Sequence, residues 1–140
     1  MKTYSGVIGR STQGNCHILD LTGELQTMVH DSQIAIGQLT AMIVGSTGAL
    51  STVEFDPGLV ETDLAVAMER LAPAEGRYQH EANWPDDNGH SHVRATFTGP
   101  SLALPVVKSR LPLGRWQQVI LLDFDTRPPH REVVVTILGN

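Results

Sequence analysis

The feature that most constrains the fold is a series of short apolar segments in the carboxyl-terminal part of the chain. From Val93 onward four segments have strand character, and they read "VRATFTG", "SLALPVV", "RWQQVILLDFD" and "REVVVTIL". Turn-forming groups separate them, namely Gly99-Pro100, Pro112-Leu113-Gly114 and Arg127-Pro128-Pro129. Because strands and helices do not alternate regularly, the pattern favours antiparallel sheet over a parallel βαβ arrangement.

The amino-terminal half adds further strands and the helices. "TYSGVIGRST" and "CHILDL" predict two strands joined by a turn, and "LTAMIVG" predicts a buried strand. Thr22 is predicted to cap one helix. The clearest helix covers residues 57–71, with Asp56 as its N-cap and Pro57 in its first position. The predicted fold class is therefore α+β, with mainly antiparallel β-sheet in a barrel-like or sandwich core and two or three helices.

Length and composition favour a single globular domain over residues 1–140. The net charge is −5 and the ten Lys and Arg residues are scattered, which argues against nucleic-acid binding. No window approaches the ~20 apolar residues of a membrane span, and the start at Met1 does not resemble a signal peptide. The one cysteine, Cys16, fits a reducing compartment. We therefore expect a cytoplasmic protein with no membrane partner.

Several common catalytic patterns are absent from the sequence. It contains no glycine-rich phosphate loop, no G-x-S-x-G nucleophile motif and no C-x-x-C zinc motif. Cys16 and His17 are adjacent in a predicted strand, so their side chains point to opposite faces and cannot pair locally. A buried core cysteine is the better interpretation.

The stretch "YQHEANWPDDNGHSH" contains half of the histidines in the chain. In an extended segment, residues two apart share a face, so His90 and His92 are predicted to line one cleft. Asp86 or Asp87 can supply a carboxylate from the preceding turn, and His80 reaches the same space if the loop folds over. Imidazole and carboxylate together suit a divalent metal, and they equally suit proton transfer near neutral pH.

Two alternatives remain open for this stretch. Pro-Asp-Asp-Asn-Gly is also strong turn chemistry, and histidines beside a surface turn often have no function. Asn88 falls on the same side as His90 only if the segment is already extended there. Glu54 raises a similar question, because it follows a predicted strand and is either solvated or turned into a pocket. Spacing alone does not decide between these alternatives.

Four motifs match a known family in order and spacing: "GSTGALSTVEFDPGL", "YQHEANWPDDNGHSH", "GPSLALPV" and "LPLGRWQQVILLDFDTRPPHREVVVT". With them the chain resembles the YjbQ family, whose members are identified as secondary thiamine-phosphate synthases. The combination of Y-x-H, D-D-N-x-H-x-H and L-G-x-W-Q in one small chain is specific. The resemblance implies an α+β fold with a barrel-like β core, assembled as a homotrimer. The long apolar strands "RWQQVILLDFD" and "REVVVTIL" agree with assembly, because an uncovered edge of that kind invites pairing.

The resemblance also implies a shared polar cluster. To its members we assign catalytic roles for His80, Glu54, Asp87, Asn88 and Gln117, and metal ligation for His90, His92 and Asp87. In this scheme Asp87 and Glu54 contact a metal or a diphosphate, and His80 is the candidate proton donor. We expect the three histidines to converge with Glu54.

One segment departs from the family pattern. Many relatives carry a histidine in an H-T-T-A sequence, where this chain reads Gly45-Ser46-Thr47-Gly48-Ala49. A contact from that histidine therefore cannot be assumed. Ser46 and Thr47 can still donate hydrogen bonds to an anionic substrate, and Arg94 and Arg115 are candidates for its positive charge.

The implied activity is transfer of an aminopyrimidine methyl diphosphate onto a thiazole phosphate, which releases pyrophosphate. Such chemistry usually needs a divalent metal, here Mg²⁺ or Zn²⁺, to stabilise the departing diphosphate. The expected partners are a phosphorylated small molecule and further copies of the chain. Two other functions stay open: a metal or small-molecule binding module with incidental activity, and a metal-dependent phosphoester hydrolase.

Overall fold

The computed structural model describes residues 1–127 and 130–140, so Pro128 and Pro129 of the last predicted separator lie outside the described residues. The strands are β1 Lys2–Ser11, β2 His17–Asp20, β3 Ile36–Ile43, β4 Gly48–Val53, β5 Ser101–Val107, β6 Gln118–Asp123 and β7 His130–Gly139. The helices are α1 Thr22–Ser32, α2 Leu64–Leu71, α3 His80–Asn83 and α4 Gly89–Thr98.

The strands form two antiparallel sheets. Sheet A has the order β1-β7-β3-β5, and sheet B has the order β2-β6-β4. In the described part of the chain the sheets share no strand, so they are not closed into a barrel. The α+β class with antiparallel sheet is confirmed, and of the two predicted kinds of core the sandwich is found while the barrel is not. Among the described residues there are four α-helices, where two or three were predicted.

The main core lies between the two sheets. Along β7 burial alternates at every residue, so the apolar side chains at odd positions face inward and their neighbours face outward. Helix α1 packs against the same core through Leu25 and Val29. Burying this many aliphatic side chains is the main term that holds the sheets together.

A second apolar cluster covers the other face of sheet B. Helices α2 and α4 pack there over Ala49, Ile120, Leu122 and Phe124. Sheet B is therefore the middle layer, between sheet A and the helices. Within the described residues, no helix has the length and hydropathy that a membrane crossing requires.

The segment "VRATFTG", predicted as a strand, belongs to helix α4. Ser91 and Ala95 are both buried, at the spacing of four that places them on one helical face. The hydroxyls of Thr96 and Thr98 each donate to a carbonyl oxygen four residues earlier, so both polar groups are satisfied inside the helix. Packing against sheet B therefore outweighs the strand preference of the β-branched residues.

The first helices also differ in detail from the prediction. Thr22 is not the cap of α1, because its hydroxyl accepts the Val119 N–H while Asp20 Oδ1 accepts the Thr22 N–H. The helix over residues 57–71 is confirmed, with a π-helical segment at Leu59–Asp63. Asp56 Oδ2 accepts the Leu59 N–H at 3.2 Å, as expected for the cap.

The first two strands do not form the predicted pair. β1 pairs with β7 in sheet A, whereas β2 pairs with β6 in sheet B. Cys16 lies just before β2 and is buried, as predicted, although its backbone has φ 62°. Burial raises the pKa of its thiol, so Cys16 is not an activated nucleophile.

Candidate functional site

The predicted site residues separate into two groups at opposite ends of sheet B. The histidine end comprises α3, the first turn of α4, the start of β4 and the residues after β6; it holds Ser46, Thr47, His80, Asp87, Asn88, His90, His92 and Asp125. The glutamate end comprises the residues after β4 and before β6; it holds Glu54, Arg115 and Gln117. Because β4 has six residues at about 3.3 Å each, roughly 20 Å separates the two ends.

His80 and His92 form a close pair at the histidine end. Their ring centroids are 4.7 Å apart and the rings are tilted by 43°. His92 Nδ1 lies 3.2 Å from the Ser46 carbonyl oxygen, so a proton on Nδ1 donates there and leaves Nε2 free to accept. His80 Nδ1 is 3.5 Å from Glu81 Oε1, without hydrogen-bond geometry. The pair can therefore still offer ring nitrogens to a ligand.

His90 occupies a different environment from His92. The prediction that the two share a face is wrong, because the segment is helical and residues two apart point in widely different directions. His90 is 2% exposed, beside the Tyr78 ring at a centroid distance of 6.3 Å. Burial lowers the pKa of His90, and the positive charge of Arg94 lowers it further. His90 is therefore held as a neutral imidazole.

Three buried polar atoms at this end have no hydrogen-bond partner. In the part of the chain that the structure describes, the buried side-chain atoms without a partner are His80 Nδ1, Asn88 Oδ1 and His90 Nδ1. Buried polar atoms in folded proteins are nearly always hydrogen-bonded, so each exception calls for a water, an ion or a ligand. All three come from the histidine-rich stretch, which concentrates the unmet bonding capacity in one place.

Two cavities lie at the histidine end, and Asn88 borders the smaller of them. The larger, of about 430 Å³, is lined by Arg77, Tyr78, Glu81 and Asp87 among others. The smaller, of about 180 Å³, is lined by Asp87, Asn88 and Asp125 with adjoining residues. Asp87 borders both cavities, and the larger volume suits a small-molecule ligand. Sequence reasoning missed Arg77 and Glu81, although Glu81 lies inside the histidine-rich stretch.

Asp125 lies at the centre of the hydrogen bonds of the histidine end. Burial alone would raise its pKa, but hydrogen bonds from the Thr47 hydroxyl, the Thr126 N–H and the Asn88 side chain lower it overall. Thr47 donates to Asp125 Oδ2 at 2.8 Å and accepts from Arg131 Nη2 at 2.5 Å. The Thr47 hydroxyl, predicted to bind substrate, is therefore occupied inside the protein, whereas Ser46 is exposed.

A buried ion pair lies beneath this group. Arg131 donates from Nε to Asp123 Oδ2 at 3.0 Å and from Nη2 to Asp123 Oδ1 at 2.9 Å. The Thr12 hydroxyl also donates to Asp123. Sequence reasoning missed both charged residues. The sequence did contain a signal for Arg131. It lies two residues before Val133 and four before Val135, and because alternate residues of a strand share a face, the arginine belongs to the inward face of β7.

Arg94 was predicted to contact substrate, but its guanidinium is inside the protein. The residue is 1% exposed, donates from Nη2 to Glu69 Oε2 at 2.8 Å and donates from Nε to the Ala72 carbonyl oxygen at 2.9 Å. These bonds join α4 to the end of α2. Arg94 therefore stabilises the fold and does not present its charge to a ligand.

At the glutamate end the side chains are exposed. Within residues 1–127 and 130–140 the Glu54 carboxylate makes no hydrogen bond or ion pair. Gln117 donates to Thr52 Oγ1 at 3.3 Å, and Arg115 lies 4.8 Å from the centre of the Trp116 ring. The expected convergence of Glu54 with the histidines is therefore wrong for a single chain, since β4 holds the two ends apart.

The predicted metal ligands do not form a preassembled site. Among the described residues, no three His, Cys, Asp or Glu side chains are placed to hold a metal ion. His90 and His92 diverge on α4, and Asp87 Oδ1 accepts a hydrogen bond from Thr126 Oγ1 at 2.9 Å. This arrangement does not fit a zinc ion held by protein ligands alone, which needs a closed set of nitrogen or sulfur donors.

Comparison with known proteins assigns the chain to a family. The family model described as "UPF0047 protein YjbQ-like" matches residues 8–140. The chain belongs to this YjbQ-like family. A UPF0047 protein of Synechocystis is 34% identical over 139 residues, covering 99% of this chain and 93% of that protein. A UPF0047 protein of Archaeoglobus fulgidus is 33% identical over 127 residues, covering 91% and 95%.

Two solved structures share the fold over nearly the whole chain. A protein from Sulfolobus solfataricus, described as YbjQ-like and of unknown function, superposes with a TM-score of 0.92 at 31% identity, and the match covers 99% of both chains. A hypothetical protein from Aeropyrum pernix superposes with a TM-score of 0.90 at 30% identity, covering 98% of this chain and 99% of that one. The two-sheet architecture is thus common to these relatives.

Proposed function

We propose that the protein is a cytoplasmic secondary thiamine-phosphate synthase. It joins an aminopyrimidine methyl diphosphate to a thiazole phosphate. The thiazole nitrogen attacks the methylene carbon, the carbon–oxygen bond to the diphosphate breaks, and its electron pair leaves with pyrophosphate. The resemblance of the four sequence motifs to secondary thiamine-phosphate synthases supports this reaction, and so does the position of the Y-x-H and D-D-N-x-H-x-H residues at the histidine end.

The observation that carries the proposal is the set of unpaired buried atoms: His80 Nδ1, Asn88 Oδ1 and His90 Nδ1. Leaving such an atom without a partner costs about 1–3 kcal/mol, so a ligand that pairs with it recovers that free energy. The same end of the sheet has a cavity of about 430 Å³, which is lined by Tyr78, Glu81 and Asp87 and offers Arg77 to a phosphate group. A surface turn whose histidines have no function would leave their polar atoms in contact with water.

His80 is the best-placed proton donor of this end. Its side chain is 27% exposed, so it can exchange protons with solvent while its Nδ1 stays buried. Its sequence neighbours Gln79 and Glu81 line the larger cavity, and its own ring lies 4.7 Å from the His92 ring between centroids. A diphosphate leaves more readily when a proton or a cation neutralises its developing charge.

The divalent cation, in this proposal, is Mg²⁺ that enters as the complex with the diphosphate substrate. Mg²⁺ keeps most of its water and commonly binds to one or two carboxylates together with substrate phosphates. Asp87, which borders both cavities, is the carboxylate that would contact it, and the unpaired Asn88 Oδ1 is a second oxygen donor. A bare diphosphate would be repelled by Asp86, Asp87 and Asp125.

The proposed assembly is a homotrimer, and the outer face of sheet A is the surface that supports it. Three successive rows of outward residues carry no charge: Val7-Val134-Met42-Ser101, Ser5-Thr136-Thr40-Ala103 and Thr3-Leu138-Gln38-Pro105. Identical chains with a net charge of −5 repel one another, so an uncharged surface is where copies can meet. The expected pairing through uncovered edges of the late strands is wrong, because β6 and β7 are both central strands.

A trimer would also resolve the separation of the two ends. Glu54 and Gln117 cannot reach the histidines of their own chain, yet both belong to the shared polar cluster that the family resemblance implies. We expect the glutamate end of one copy to complete the histidine end of its neighbour. Homo-oligomers with cyclic symmetry repeat such a contact at every interface.

The proposal is tested by supplying both substrates and Mg²⁺ to the purified protein and quantifying thiamine phosphate and pyrophosphate by mass spectrometry. We expect equal amounts of the two products, and a loss of about a hundredfold in His80→Asn. His30→Asn, an exposed histidine on α1, is the matched control. Phosphate release from a phosphoester panel would instead identify a hydrolase, and substrate binding without turnover would identify a binding module.

A further inference from the structure

The buried arginine of β7 has one nitrogen that the fold does not use. Arg131 is 6% exposed, and its Nε and Nη2 are bonded to Asp123 and Thr47. Within residues 1–127 and 130–140, its Nη1 makes no hydrogen bond. Among the described residues, the fully buried side-chain atoms that lack a hydrogen-bond partner do not include Nη1. Part of the Nη1 surface is therefore accessible to solvent through an opening.

That opening exists because residue 45 is glycine. Gly45 is exposed and has φ 112°, and a Cβ built on it would lie 2.9 Å from Arg131 Nη1. The guanidinium could not move aside, because Asp123 and Thr47 fix two of its nitrogens. Any side chain at position 45 would therefore cover Nη1, whereas glycine leaves a rigid donor at the surface.

The opening adjoins the histidine end through the next residue. The carbonyl oxygen of Ser46 lies 3.2 Å from His92 Nδ1, so the Gly45-Ser46 backbone runs between the arginine and the histidine pair. A ligand at the histidine end can thus reach Nη1 over the bare backbone of Gly45. The donor is already oriented, so pairing with it requires no rearrangement of the protein.

The local charge decides which kind of ligand group fits. Asp123 neutralises Arg131, and Asp125 Oδ2 lies 4.0 Å from Nη2 as a second carboxylate. Hydrogen bonds lower the pKa of Asp125 despite its burial, so it is ionised at neutral pH. The immediate surroundings therefore carry a net negative charge, which repels a phosphate and leaves a neutral acceptor as the favoured partner.

We infer that Arg131 Nη1, uncovered by Gly45, is a subsite for a neutral hydrogen-bond acceptor, either a ring nitrogen or a carbonyl oxygen of a heteroaromatic ligand. The identity of the ring rests on the proposed function. With that function, the acceptor is a ring nitrogen of the aminopyrimidine. The subsite thus holds the uncharged ring, while the diphosphate binds with Mg²⁺ elsewhere at the histidine end.

The test compares Gly45→Ala with Gly99→Ala. Gly99 has φ 100°, and a Cβ added to it would meet nothing within 4 Å, so the second variant carries similar backbone strain without covering any donor. The probe is the aminopyrimidine methanol, the uncharged alcohol of the proposed substrate, titrated by calorimetry at a pH where its ring is neutral. We expect Gly45→Ala to bind it about tenfold more weakly than Gly99→Ala, the effect of about one lost hydrogen bond.

A second measurement keeps the inference testable if Gly45→Ala folds poorly. In the isotope-labelled parent protein, the NMR signals of the Arg131 Nη1 protons should shift on addition of the aminopyrimidine methanol and not on addition of inorganic phosphate. Equal binding by both variants, no binding by the parent, or a response to phosphate alone would overturn the subsite. Binding lost in Gly45→Ala with no synthase turnover in the parent would uphold the subsite and refute the proposed reaction.

Discussion

The two ends of sheet B carry similar kinds of side chain but hold them in different ways. At the histidine end, carboxylate, amide and imidazole groups pack over a buried ion pair, and three polar atoms are sealed without partners. At the glutamate end, Glu54, Arg115 and Gln117 are all exposed. The fold of one chain therefore fixes the side chains of the first end and leaves those of the second in contact with water.

The two ends of sheet B differ in how deeply their charged side chains are buried. Asp123 is fully buried and Arg131 nearly so, and together they fix Thr47 and Asp125. Exposed charges such as Arg115 are screened by water and contribute little to stability. A preorganised site needs side chains whose positions are fixed by neighbours, and only the histidine end meets that condition.

The largest expected effect tests the ion pair beneath the histidine end. Asp123→Asn leaves the Arg131 charge buried without its carboxylate, so we expect the free energy of unfolding to fall by about 3–5 kcal/mol. Arg115→Gln at the glutamate end should change it by less than about 0.5 kcal/mol. Urea denaturation of both variants measures the contrast. Equal small losses would mean that the pair does not hold the histidine end.

Mixing two inactive variants tests whether the ends meet between copies. We expect His80→Asn and Glu54→Gln each to lower kcat by about a hundredfold. After the two are unfolded and refolded together in equal amounts, about one quarter of the interfaces should carry both native ends and recover activity. The measurement is thiamine phosphate formation per total chain. A mixture no more active than its components would place each complete site within one chain.

Asp87 separates a metal-bridging role from a turn-forming role at the histidine end. Asp87→Asn keeps an acceptor for Thr126 Oγ1, so the turn should persist while the negative charge is lost. We expect pyrophosphate binding in the presence of Mg²⁺ to weaken about tenfold, because one carboxylate contact to the ion is removed. Calorimetric titration with and without Mg²⁺ measures this.

Asp86→Asn, which removes the neighbouring exposed charge, is the control for that titration. It should change Mg²⁺-dependent binding less than Asp87→Asn. Unchanged binding in Asp87→Asn, or full activity in excess chelator, would contradict the bridging role.

The smallest effect concerns the protonation of His90. Burial and the charge of Arg94 lower the pKa of His90 in the folded state. When the pH falls below the ordinary histidine pKa of 6.5, the unfolded chain therefore binds a proton that the folded chain does not. Stability should therefore fall as the pH drops through that value, by at most about 1.4 kcal/mol per pH unit. His90→Gln should flatten this slope, and His30→Gln should not. The measurement is the urea midpoint of each protein across this pH range. Equal pH slopes in the parent and in His90→Gln would contradict the prediction.

Much of the sheet structure followed from local patterns. The segments that became β5, β6 and β7 were found because alternation and turn residues report a strand without knowledge of its partners. Helix α4 was missed for the opposite reason. Its Thr96 and Thr98 favour a strand locally, and only contact with sheet B reveals that Ser91 and Ala95 form a buried helical face.

The sequence motif indicated which polar residues of the histidine-rich stretch lie near one another, but not how they are arranged. The motif placed His80, Asp87 and Asn88 at one site, and these residues do lie at the histidine end. The motif gave no sign that Arg94 is used internally or that Arg131 supports Thr47. Both facts depend on neighbours far apart in sequence, which a local pattern does not report.

The sequence by itself determined the α+β class, most strands, the helix over residues 57–71 and the polar residues of the family motif. These depend on side-chain period, turn chemistry and residue type, which act over a few neighbouring residues. Only the tertiary structure decided that sheet B holds Glu54 apart from the histidines, and that Gly45 uncovers Arg131. Those outcomes arise from burial and strand register between distant segments, and they exist only once the two sheets have packed.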